Sequence, residues 1–253
     1  MRILITNDDG IDAPGLSVLY DIARKLTDAQ NITTVAPAAE QSGVGHCISY
    51  TNSLAYDQRD DNVFAVHGSP ADCVIVGVFE ILNGNMPDLI LSGVNKGNNA
   101  AQNTLYSGTV GATIEAAMHG IKSIALSQFY GPALADCDTF DPARGFGAQT
   151  VQKILDADTW LADQGTLFYN VNFPPVPAAD VMGHQITTQG FRTGSPFSTE
   201  RRENTLWIKG TPQHASTAQG SDVHANLAGY ISVTPCHVDL TAHGQIAQLK
   251  EVF

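Results

Sequence analysis

The chain opens with Met1-Arg2-Ile3-Leu4-Ile5-Thr6-Asn7-Asp8-Asp9-Gly10, an apolar run that ends in two adjacent carboxylates and a glycine. This pattern predicts a β-strand that delivers Asp8 and Asp9 to a loop. Neighbouring carboxylates raise each other's pKa unless a cation lies between them, and hard divalent cations prefer such oxygen ligands. The same residues are also typical of a solvated turn. The opening alone therefore leaves a metal site and an ordinary turn as equal alternatives.

A helix and a second strand follow this opening. Pro14 suits a first helical turn, Asp12 is a candidate N-cap, and apolar residues repeat at helical spacing from Leu16 to Leu26. A second apolar run, Ile32-Thr33-Thr34-Val35-Ala36, predicts the next strand. Strand, helix and strand in this order indicate a parallel α/β sheet.

The alternation of helices and strands continues to about residue 171. Ser69-Pro70-Ala71-Asp72 combines a capping serine, a first-turn proline and an acidic residue, and it predicts a helix over 70–82. Another helix is expected over about 110–119. Further short apolar runs predict strands at Val63-Phe64-Ala65-Val66, Pro87-Asp88-Leu89-Ile90-Leu91, Ser123-Ile124-Ala125-Leu126-Ser127 and Leu167-Phe168-Tyr169-Asn170-Val171.

The pattern changes beyond about residue 183. Two short β-like segments, Gln185-Ile186-Thr187-Thr188 and Thr205-Leu206-Trp207-Ile208, flank a polar stretch from Arg192 to Glu203. We interpret this region as a hairpin arm, of the kind that often contacts another subunit, with a surface loop as the alternative. A helix is expected next, from near Ser221-Asp222 to Gly229, followed by a strand.

Composition and charge narrow the classes of function. The 253 residues carry a formal net charge of -12, which disfavours long nucleic acids because their binding depends on many lysine and arginine contacts. No apolar run approaches the roughly 18 residues of a membrane helix, and residues 1–5 open a strand rather than a signal peptide. We therefore expect no membrane partner and a cytoplasmic location. The four cysteines have neither zinc-site nor disulfide spacing and are expected to be small buried residues.

Polar loops follow three of the predicted strands. They are Asn7-Asp8-Asp9-Gly10, the segment 40–45 with the hydroxyl of Ser42, and the segment 92–99 with the amide of Asn95. Ligands of parallel sheets bind beyond the carboxyl ends of the strands. These loops are therefore the places where a ligand is expected.

A fourth segment, Tyr106-Ser107-Gly108-Thr109-Val110-Gly111, leads into the helix predicted at 110–119. Ser107, Gly108 and Thr109 would then lie at a helix N-terminus, where unpaired N–H groups and the helix dipole favour an anion. A phosphate cradle and an ordinary Ser/Thr cap are both compatible with this pattern.

The chain lacks the sequence motifs of several common classes of phosphate-binding and ester-hydrolysing proteins. It has neither the G-x-x-x-x-G-K-[ST] of a P-loop nor the G-x-S-x-G of an α/β-hydrolase. Gly43-Val44-Gly45 lacks the third glycine of a dinucleotide-binding loop, and Asp8-Asp9 differs from the D-x-D of phosphatases that form an aspartyl-phosphate. A metal-dependent phosphomonoesterase, a nucleotide-dependent transferase and a non-catalytic nucleotide-binding sensor remain open.

A series of short motifs runs in order through nearly the whole chain. They are Asn7-Asp8-Asp9-Gly10-Ile11, Ala13-Pro14-Gly15, Ala36-Pro37, Gln41-Ser42-Gly43, Ala71-Asp72-Cys73, Pro87-Asp88-Leu89, Ser92-Gly93-Val94-Asn95, Tyr106-Ser107-Gly108-Thr109-Val110 and Ser232-Val233-Thr234-Pro235. Each motif is modest alone, but their joint order and spacing are specific. Together they resemble the SurE survival-protein family of metal-dependent, acid-phosphatase-like 5'/3'-nucleotidases.

The resemblance implies a fold and an assembly. The expected fold class is α/β, a three-layer α/β/α Rossmann-like core with a mainly parallel sheet, plus a C-terminal β-hairpin arm and a terminal helix. The chain would form a single domain over 1–253, with the core at about 1–182 and the arm, a returning strand and the terminal helix at about 183–253. A homodimer or a homotetramer is expected.

The resemblance also implies a reaction, the hydrolysis of nucleoside monophosphates to nucleoside and phosphate. It leaves open whether the protein also has 3'-nucleotidase and exopolyphosphatase activities. One divalent metal per subunit, Mg or Mn, would be held by Asp8, Asp9, Ser42 and Asn95. Asp8, Asp9 and Asn95 would be catalytic, and Ser107, Gly108 and Thr109 would line the phosphate pocket. Ala101 and Asn103 stand where the family usually has glycine and aspartate, so substrate preference is expected to depend on the segment from Asn99 to Tyr106.

Overall fold

The computed structural model describes residues 1–162, 165–193, 197–210, 214–215 and 217–253. In these residues a nine-stranded sheet forms the centre of the molecule, and two short antiparallel pairs lie apart from it. The strands are β1 (Ile3–Thr6), β2 (Ile32–Pro37), β3 (Tyr56–Asp60), β4 (Val63–Val66), β5 (Leu89–Lys96), β6 (Ser123–Gln128), β7 (Leu161–Ala162), β8 (Gly165–Thr166), β9 (Phe168–Phe173), β10 (His184–Ile186), β11 (Phe197–Arg202), β12 (Thr205–Gly210) and β13 (Ile231–Cys236). The α-helices are α1 (Pro14–Arg24), α2 (Pro70–Val76), α3 (Gly108–Met118), α4 (Asp141–Ala157), α5 (Asp222–Leu227) and α6 (His243–Lys250).

Six neighbouring strands of the central sheet are parallel, in the spatial order β4-β2-β1-β5-β6-β9. At the margins β3 runs antiparallel to β4 and β13 antiparallel to β9, while β10 extends the sheet beside β13. Most connections between the parallel strands contain a helix, because a parallel pair needs a crossover. The predicted α/β fold with a mainly parallel sheet is confirmed.

The two faces of the sheet carry separate hydrophobic clusters. On β1, Ile3 and Ile5 belong to the cluster that includes Leu19 and Val151 of α1 and α4. Leu4, between them in sequence, belongs to the opposite cluster with residues of α2 and α3. Successive side chains of a strand point to opposite faces, so a continuous apolar run is what a strand covered on both sides requires. The molecule is therefore built in three layers.

The predicted start of α2 is confirmed, because its cap is formed by residues that are close together in sequence. Ser69 Oγ accepts a 3.1 Å bond from Asp72 N, and Asp72 Oδ2 accepts a 2.8 Å bond from Ser69 N, which completes a capping box for α2. The helix predicted over 70–82 changes at Gly77 into a π-helical turn. The prediction of Asp12 as the cap of α1 is wrong, since the N-cap residue is Ala13 and makes no side-chain bond.

The hairpin arm is built from a different pair of segments than predicted. β11 and β12 pair antiparallel, so much of the stretch predicted as a polar connection is itself a strand. Gln185 and Ile186 belong instead to β10 of the central sheet. Most of β11 and all of β12 are exposed, so they need no apolar alternation that sequence could reveal. Residues 194–196 of the predicted polar stretch lie outside the described residues.

No prediction covers α4, although it has 17 residues. Gly145 and Gly147 weaken its helical signal because glycine disfavours helix. Gly147 allows close packing of α4 on α1, since a Cβ there would lie 2.4 Å from Ile22 Cδ1 and would force this buried side chain to move. The glycine at the contact between the two helices thus weakens the sequence pattern that would predict α4.

Two further expectations concern the surface. Cys47 and Cys137 are exposed, Cys236 is half-buried and Cys73 is buried, so the expectation of four buried cysteines is wrong for two of them. Within the described ranges, no helix has both the length and the apolar character needed to cross a membrane.

Candidate active site at the carboxyl edge of the sheet

The order of the parallel strands reverses between β1 and β5. From β1 the sheet extends through β2 and β4 in one direction and through β5, β6 and β9 in the other. A crevice opens beyond the strand ends at such a reversal, and ligands of α/β proteins bind there. Thr6 of β1 is paired with Ser92 of β5, so the residues that follow β1 lie beside the last residues of β5.

A cleft of about 390 Å³ lies at this edge, a size typical of small-molecule sites. The structure brings five of the seven predicted site residues to its walls, and the other two, Gly108 and Thr109, are buried next to Asp8. The cleft is lined by Asp8, Asp9, Glu40, Ser42, Gly43, Asn95, Lys96, Asn99, Asn103, Tyr106, Ser107 and Phe197.

The turn after β1 is made by the residues that flank the two carboxylates. Asn7 Nδ2 donates to Gly10 O at 2.8 Å, and Gly10 N donates to Asn7 Oδ1 at 3.2 Å. Gly10 has φ +102°, a conformation that favours glycine. The two alternatives for the opening segment are therefore compatible, because Asn7 and Gly10 form a turn that presents Asp8 and Asp9 to the cleft.

Asp8 is almost fully buried, with 4% of its surface exposed. Thr109 Oγ1 donates a 2.5 Å hydrogen bond to Asp8 Oδ1, and the Thr109 N–H also bonds to the carboxylate. Burial raises the pKa of Asp8 from 3.8 to about 6, with the charge of Asp9 acting in the same direction and the bonds from Thr109 opposing it. An ionised Asp8 therefore lacks sufficient compensating positive charge within the protein itself.

Asp9 is in a similar electrostatic position. Burial raises the pKa of Asp9, the nearby negative charge of Glu40 adds to this, and a 3.2 Å bond from Lys96 N to Asp9 Oδ2 opposes it. Three carboxylates, those of Asp8, Asp9 and Glu40, thus line one cleft. A cation bound among them would offset their repulsion.

The loop that carries Ser42 is fixed to the rest of the site by its backbone. Gln41 N donates to Asp8 O at 2.8 Å, and Gly45 N donates to Tyr106 O at 3.0 Å. The Ser42 hydroxyl itself donates to Glu40 Oε1 at 2.7 Å. Ser42 therefore reaches the cleft with its oxygen lone pairs still able to face a ligand.

Asn95 lies in a strand rather than in the predicted loop. β5 continues to Lys96, five residues beyond the predicted strand end at Leu91, and its register against β6 shifts between Gly93 and Asn95. Such an irregularity re-aims a side chain. Asn95 Nδ2 donates to Gly97 O at 3.0 Å, which commits the amide nitrogen and leaves Oδ1 for a ligand.

The N-terminus of α3 closes the site. Ser107 is its N-cap, with Oγ accepting a 3.1 Å bond from Val110 N, so the ordinary capping alternative is present. The Thr109 hydroxyl and N–H both bond to Asp8, and the Val110 N–H bonds to Ser107 Oγ. An anion at this terminus would therefore meet Ser107 and the backbone of Gly108. Gly108 fits closely beside Asp8, since a Cβ there would lie 2.9 Å from Asp8 Cβ.

Several cleft residues were not singled out as site residues from the sequence. Glu40, Lys96 and Tyr106 occur within segments chosen for other residues, so proximity in the chain could have suggested them. Phe197 is far from every motif in sequence and reaches the cleft only because the arm folds back onto Tyr106. No local signal could have found it.

The predicted ligand set differs from the usual cluster of acidic and imidazole groups. The described residues contain no group of three His, Cys, Asp or Glu side chains arranged to hold a metal. Asp8, Asp9, Ser42 and Asn95 offer instead two carboxylates, a hydroxyl and an amide oxygen. Oxygen donors of this kind suit Mg²⁺ or Mn²⁺ better than softer metals.

Comparisons with known proteins agree with this fold. Residues 3–195 match the family model "Survival protein SurE". The chain is 54% identical to "5'-nucleotidase SurE" of Roseobacter denitrificans over 259 residues, covering 100% of this chain and 99% of the relative. It is 52% identical to the protein of the same name from Jannaschia sp. over 260 residues, covering 99% of each.

A solved structure extends the likeness to three dimensions. The crystal structure of the SurE protein from Aquifex aeolicus matches with a TM-score of 0.83 and 32% identity, covering 100% of this chain and 99% of that one. Sequence and fold thus agree over essentially the full length of both proteins. The chain belongs to the SurE family.

Proposed function

We propose that this protein is a metal-dependent 5'-nucleotidase, which hydrolyses nucleoside monophosphates to nucleoside and phosphate. The observation that carries the proposal is the pair Asp8 and Asp9, both with raised pKa, facing a cleft where the strand order reverses. Full-length relatives named 5'-nucleotidase SurE support the same activity.

The donor set supports one divalent metal, Mg or Mn, in each subunit. We assign Asp8, Asp9, Ser42 and Asn95 as its ligands, because all four line one cleft and all offer oxygen. The excess of negative charge there is what a divalent cation would offset. Bound at this position, the metal would polarise a phosphate oxygen and activate a water molecule.

The remaining steps fall to the protein's own groups. Asp8 or Asp9 accepts the proton of the attacking water. Asn95 would act through the metal, because its amide nitrogen bonds to Gly97 O and its amide oxygen is the group left for a ligand. Ser107 and the backbone of Gly108 at the start of α3 hold the phosphate oxygens during in-line transfer.

The proposal is tested by measuring phosphate release from a panel of nucleoside 5'- and 3'-monophosphates and short polyphosphate. EDTA should abolish turnover, and Mn²⁺ or Mg²⁺ should restore it. Asp9→Asn should lower kcat by about 100-fold or more, because a charged ligand becomes neutral. Asp12→Asn, a matched change at a nearby exposed aspartate, should leave kcat within about twofold. Full turnover of Asp9→Asn with unchanged metal dependence would refute the scheme.

We also propose that the protein acts in the cytoplasm as a homodimer or homotetramer. The arm supports self-association, because Leu206, Trp207 and Ile208 of β12 are all exposed apolar side chains. Exposed apolar patches commonly mark interfaces. Light-scattering mass of the wild type and of Trp207→Ser distinguishes a monomer from an assembly that depends on the arm.

A further inference from the structure

The Ser42 hydroxyl is held by one side chain, that of Glu40. Ser42 Oγ donates to Glu40 Oε1 at 2.7 Å, and both residues line the cleft that contains Asp8 and Asp9. In the part of the chain that the structure describes, neither of these two side chains makes another hydrogen bond. Both are exposed. The orientation of the Ser42 hydroxyl therefore depends on this single contact.

The other three proposed metal ligands also have partners within the protein. These are the Thr109 hydroxyl on Asp8, the Lys96 N–H on Asp9 and the Gly97 carbonyl on Asn95. Two of the three partners are backbone groups, and the third is the hydroxyl of a fully buried threonine. Such partners fix the orientation of metal ligands. Glu40 completes the pattern for Ser42, and it is the only acidic side chain among the four partners.

The backbone of Glu40 is anchored on both sides, although its side chain is exposed. Two residues before it, Ala38 N donates to Val66 O at 2.7 Å. Directly after it, Gln41 N donates to Asp8 O at 2.8 Å. The Glu40 carboxylate therefore starts from a backbone that is tied both to the sheet and to the turn that carries Asp8.

Ser42 lies at a less constrained place. The next residue, Gly43, has φ +78°, and a Cβ on it would meet nothing within 4 Å. A serine hydroxyl has one hydrogen and two lone pairs, and it rotates to suit its partners. Its oxygen can bind a cation only if the hydrogen points away from that cation. A carboxylate that accepts the hydrogen satisfies this condition and strengthens the oxygen as a ligand.

We propose that Glu40 is a positioning residue of the metal site, which holds the Ser42 hydroxyl so that an oxygen lone pair faces the cation. The inference rests on the proposed function, because that function makes Ser42 a metal ligand. Two other roles are compatible with a carboxylate at this place. It could bind the cation directly, or it could only add negative charge to the cleft. In both of these roles Glu40 would act without Ser42, so its dependence on Ser42 separates them from positioning.

The test is the dissociation constant of Mn²⁺ for the full-length protein freed of metal by EDTA, measured from the electron paramagnetic resonance signal of free Mn²⁺. Glu40→Ala removes the acceptor and should raise this constant about tenfold or more. Glu40→Gln keeps an acceptor oxygen without the charge, so it should raise the constant by about threefold at most. In a Ser42→Ala background, Glu40→Ala should change the constant by less than about threefold.

Asp12→Ala is the matched control. Asp12 is an exposed carboxylate, and it lines a neighbouring cavity whose wall also includes Glu40. It has the same charge as Glu40 but no bond to Ser42, so its removal should change the Mn²⁺ dissociation constant by less than about twofold.

The inference is overturned if Glu40→Ala costs the same factor in both backgrounds, which is the result for a direct ligand or for charge alone. Equal losses in Glu40→Ala and Glu40→Gln, or unchanged binding in Glu40→Ala, would also overturn it. The failure of the proposed function shows in the wild type, as no phosphate release by the Mn²⁺-loaded protein. The binding measurements still decide the inference in that case, because they need no turnover. A wild type that binds no Mn²⁺ would overturn both.

Discussion

The Thr109 hydroxyl donates a 2.5 Å hydrogen bond to the Asp8 carboxylate across 101 residues of sequence. It joins the turn after β1 to the first turn of α3, so the candidate metal ligand and the anion-favouring helix terminus form one unit. Asp8 is buried and its pKa is raised to about 6, which makes this bond the main local support for its ionised form. The proposed metal ligands and the proposed phosphate pocket are therefore coupled through these two residues.

Removal of the Thr109 hydroxyl should move the pH dependence of catalysis. In Thr109→Val the carboxylate loses a bond that lowers the pKa of Asp8, so the acid limb of the pH–rate profile should shift to higher pH. A charge-assisted bond of this kind is worth about 1.5–3 kcal/mol, so kcat/KM at pH 6.5 should fall about tenfold or more, with partial recovery at pH 8.5. Thr109→Ser keeps the hydroxyl and should stay close to wild type. Identical profiles for the two variants would contradict this role.

Asp8→Asn should stabilise the metal-free protein while it removes activity. Burial raises the folded-state pKa of Asp8 from 3.8 to about 6. The contribution of the protonated Asp8 side chain to the free energy of unfolding is therefore complete below pH 3.8 and is lost as the pH rises through about 6. Asparagine has no charge to bury, so in EDTA at pH 8 the variant should gain up to about 3 kcal/mol of unfolding free energy.

The measurement for Asp8→Asn is urea unfolding in EDTA between pH 4 and pH 8. The gain should become small toward pH 4, where Asp8 in the folded protein is neutral like asparagine. Addition of Mn²⁺ should then stabilise only the wild type. A gain that is the same at all pH values would show that charge burial is not its cause.

Gly108 should not tolerate a side chain. A Cβ there would lie 2.9 Å from Asp8 Cβ and 3.0 Å from Pro70 Cγ, so Gly108→Ala forces the site apart. We expect a loss of about 1–3 kcal/mol of unfolding free energy and a large loss of activity. Gly145→Ala is the matched control inside α4, where the new Cβ would meet Ala178 Cβ at an ordinary 3.4 Å. Thermal unfolding should show that control unchanged or up to about 1 kcal/mol more stable.

Glu115 should stabilise the fold in a pH-dependent way. His46 Nε2 donates to one Glu115 oxygen at 2.6 Å and His119 Nε2 to the other at 2.9 Å, and these bonds lower the pKa of Glu115. A lowered pKa means that the stabilisation is present above the ordinary value of 4.5 and is lost as pH falls through the folded-state value.

Glu115→Gln should therefore cost about 1–2 kcal/mol of unfolding free energy at pH 7, and the difference from wild type should shrink below about pH 4.5. Urea unfolding at several pH values measures it. Glu251→Gln, at an exposed glutamate, should show no such dependence. A constant difference between Glu115→Gln and wild type would contradict the assignment.

Local sequence determined several of the strands and helix starts of this protein. The apolar run at Ile3–Thr6, the proline at the start of α1 and the capping box of Ser69 with Asp72 depend on neighbours within a few residues, so their patterns can be read directly. The adjacent Asp8 and Asp9 likewise predict a concentrated negative charge at a strand end.

Only the tertiary structure decided how these pieces meet. The extension of β5 to Lys96, the commitment of the Thr109 hydroxyl to Asp8 and the approach of Phe197 to Tyr106 all depend on strand order and register. α4 escaped prediction because the glycine that lets it pack on Ile22 also weakens its helical pattern. Sequence records the preferences of neighbouring residues, whereas a site shared by distant segments exists only after packing has fixed their distances.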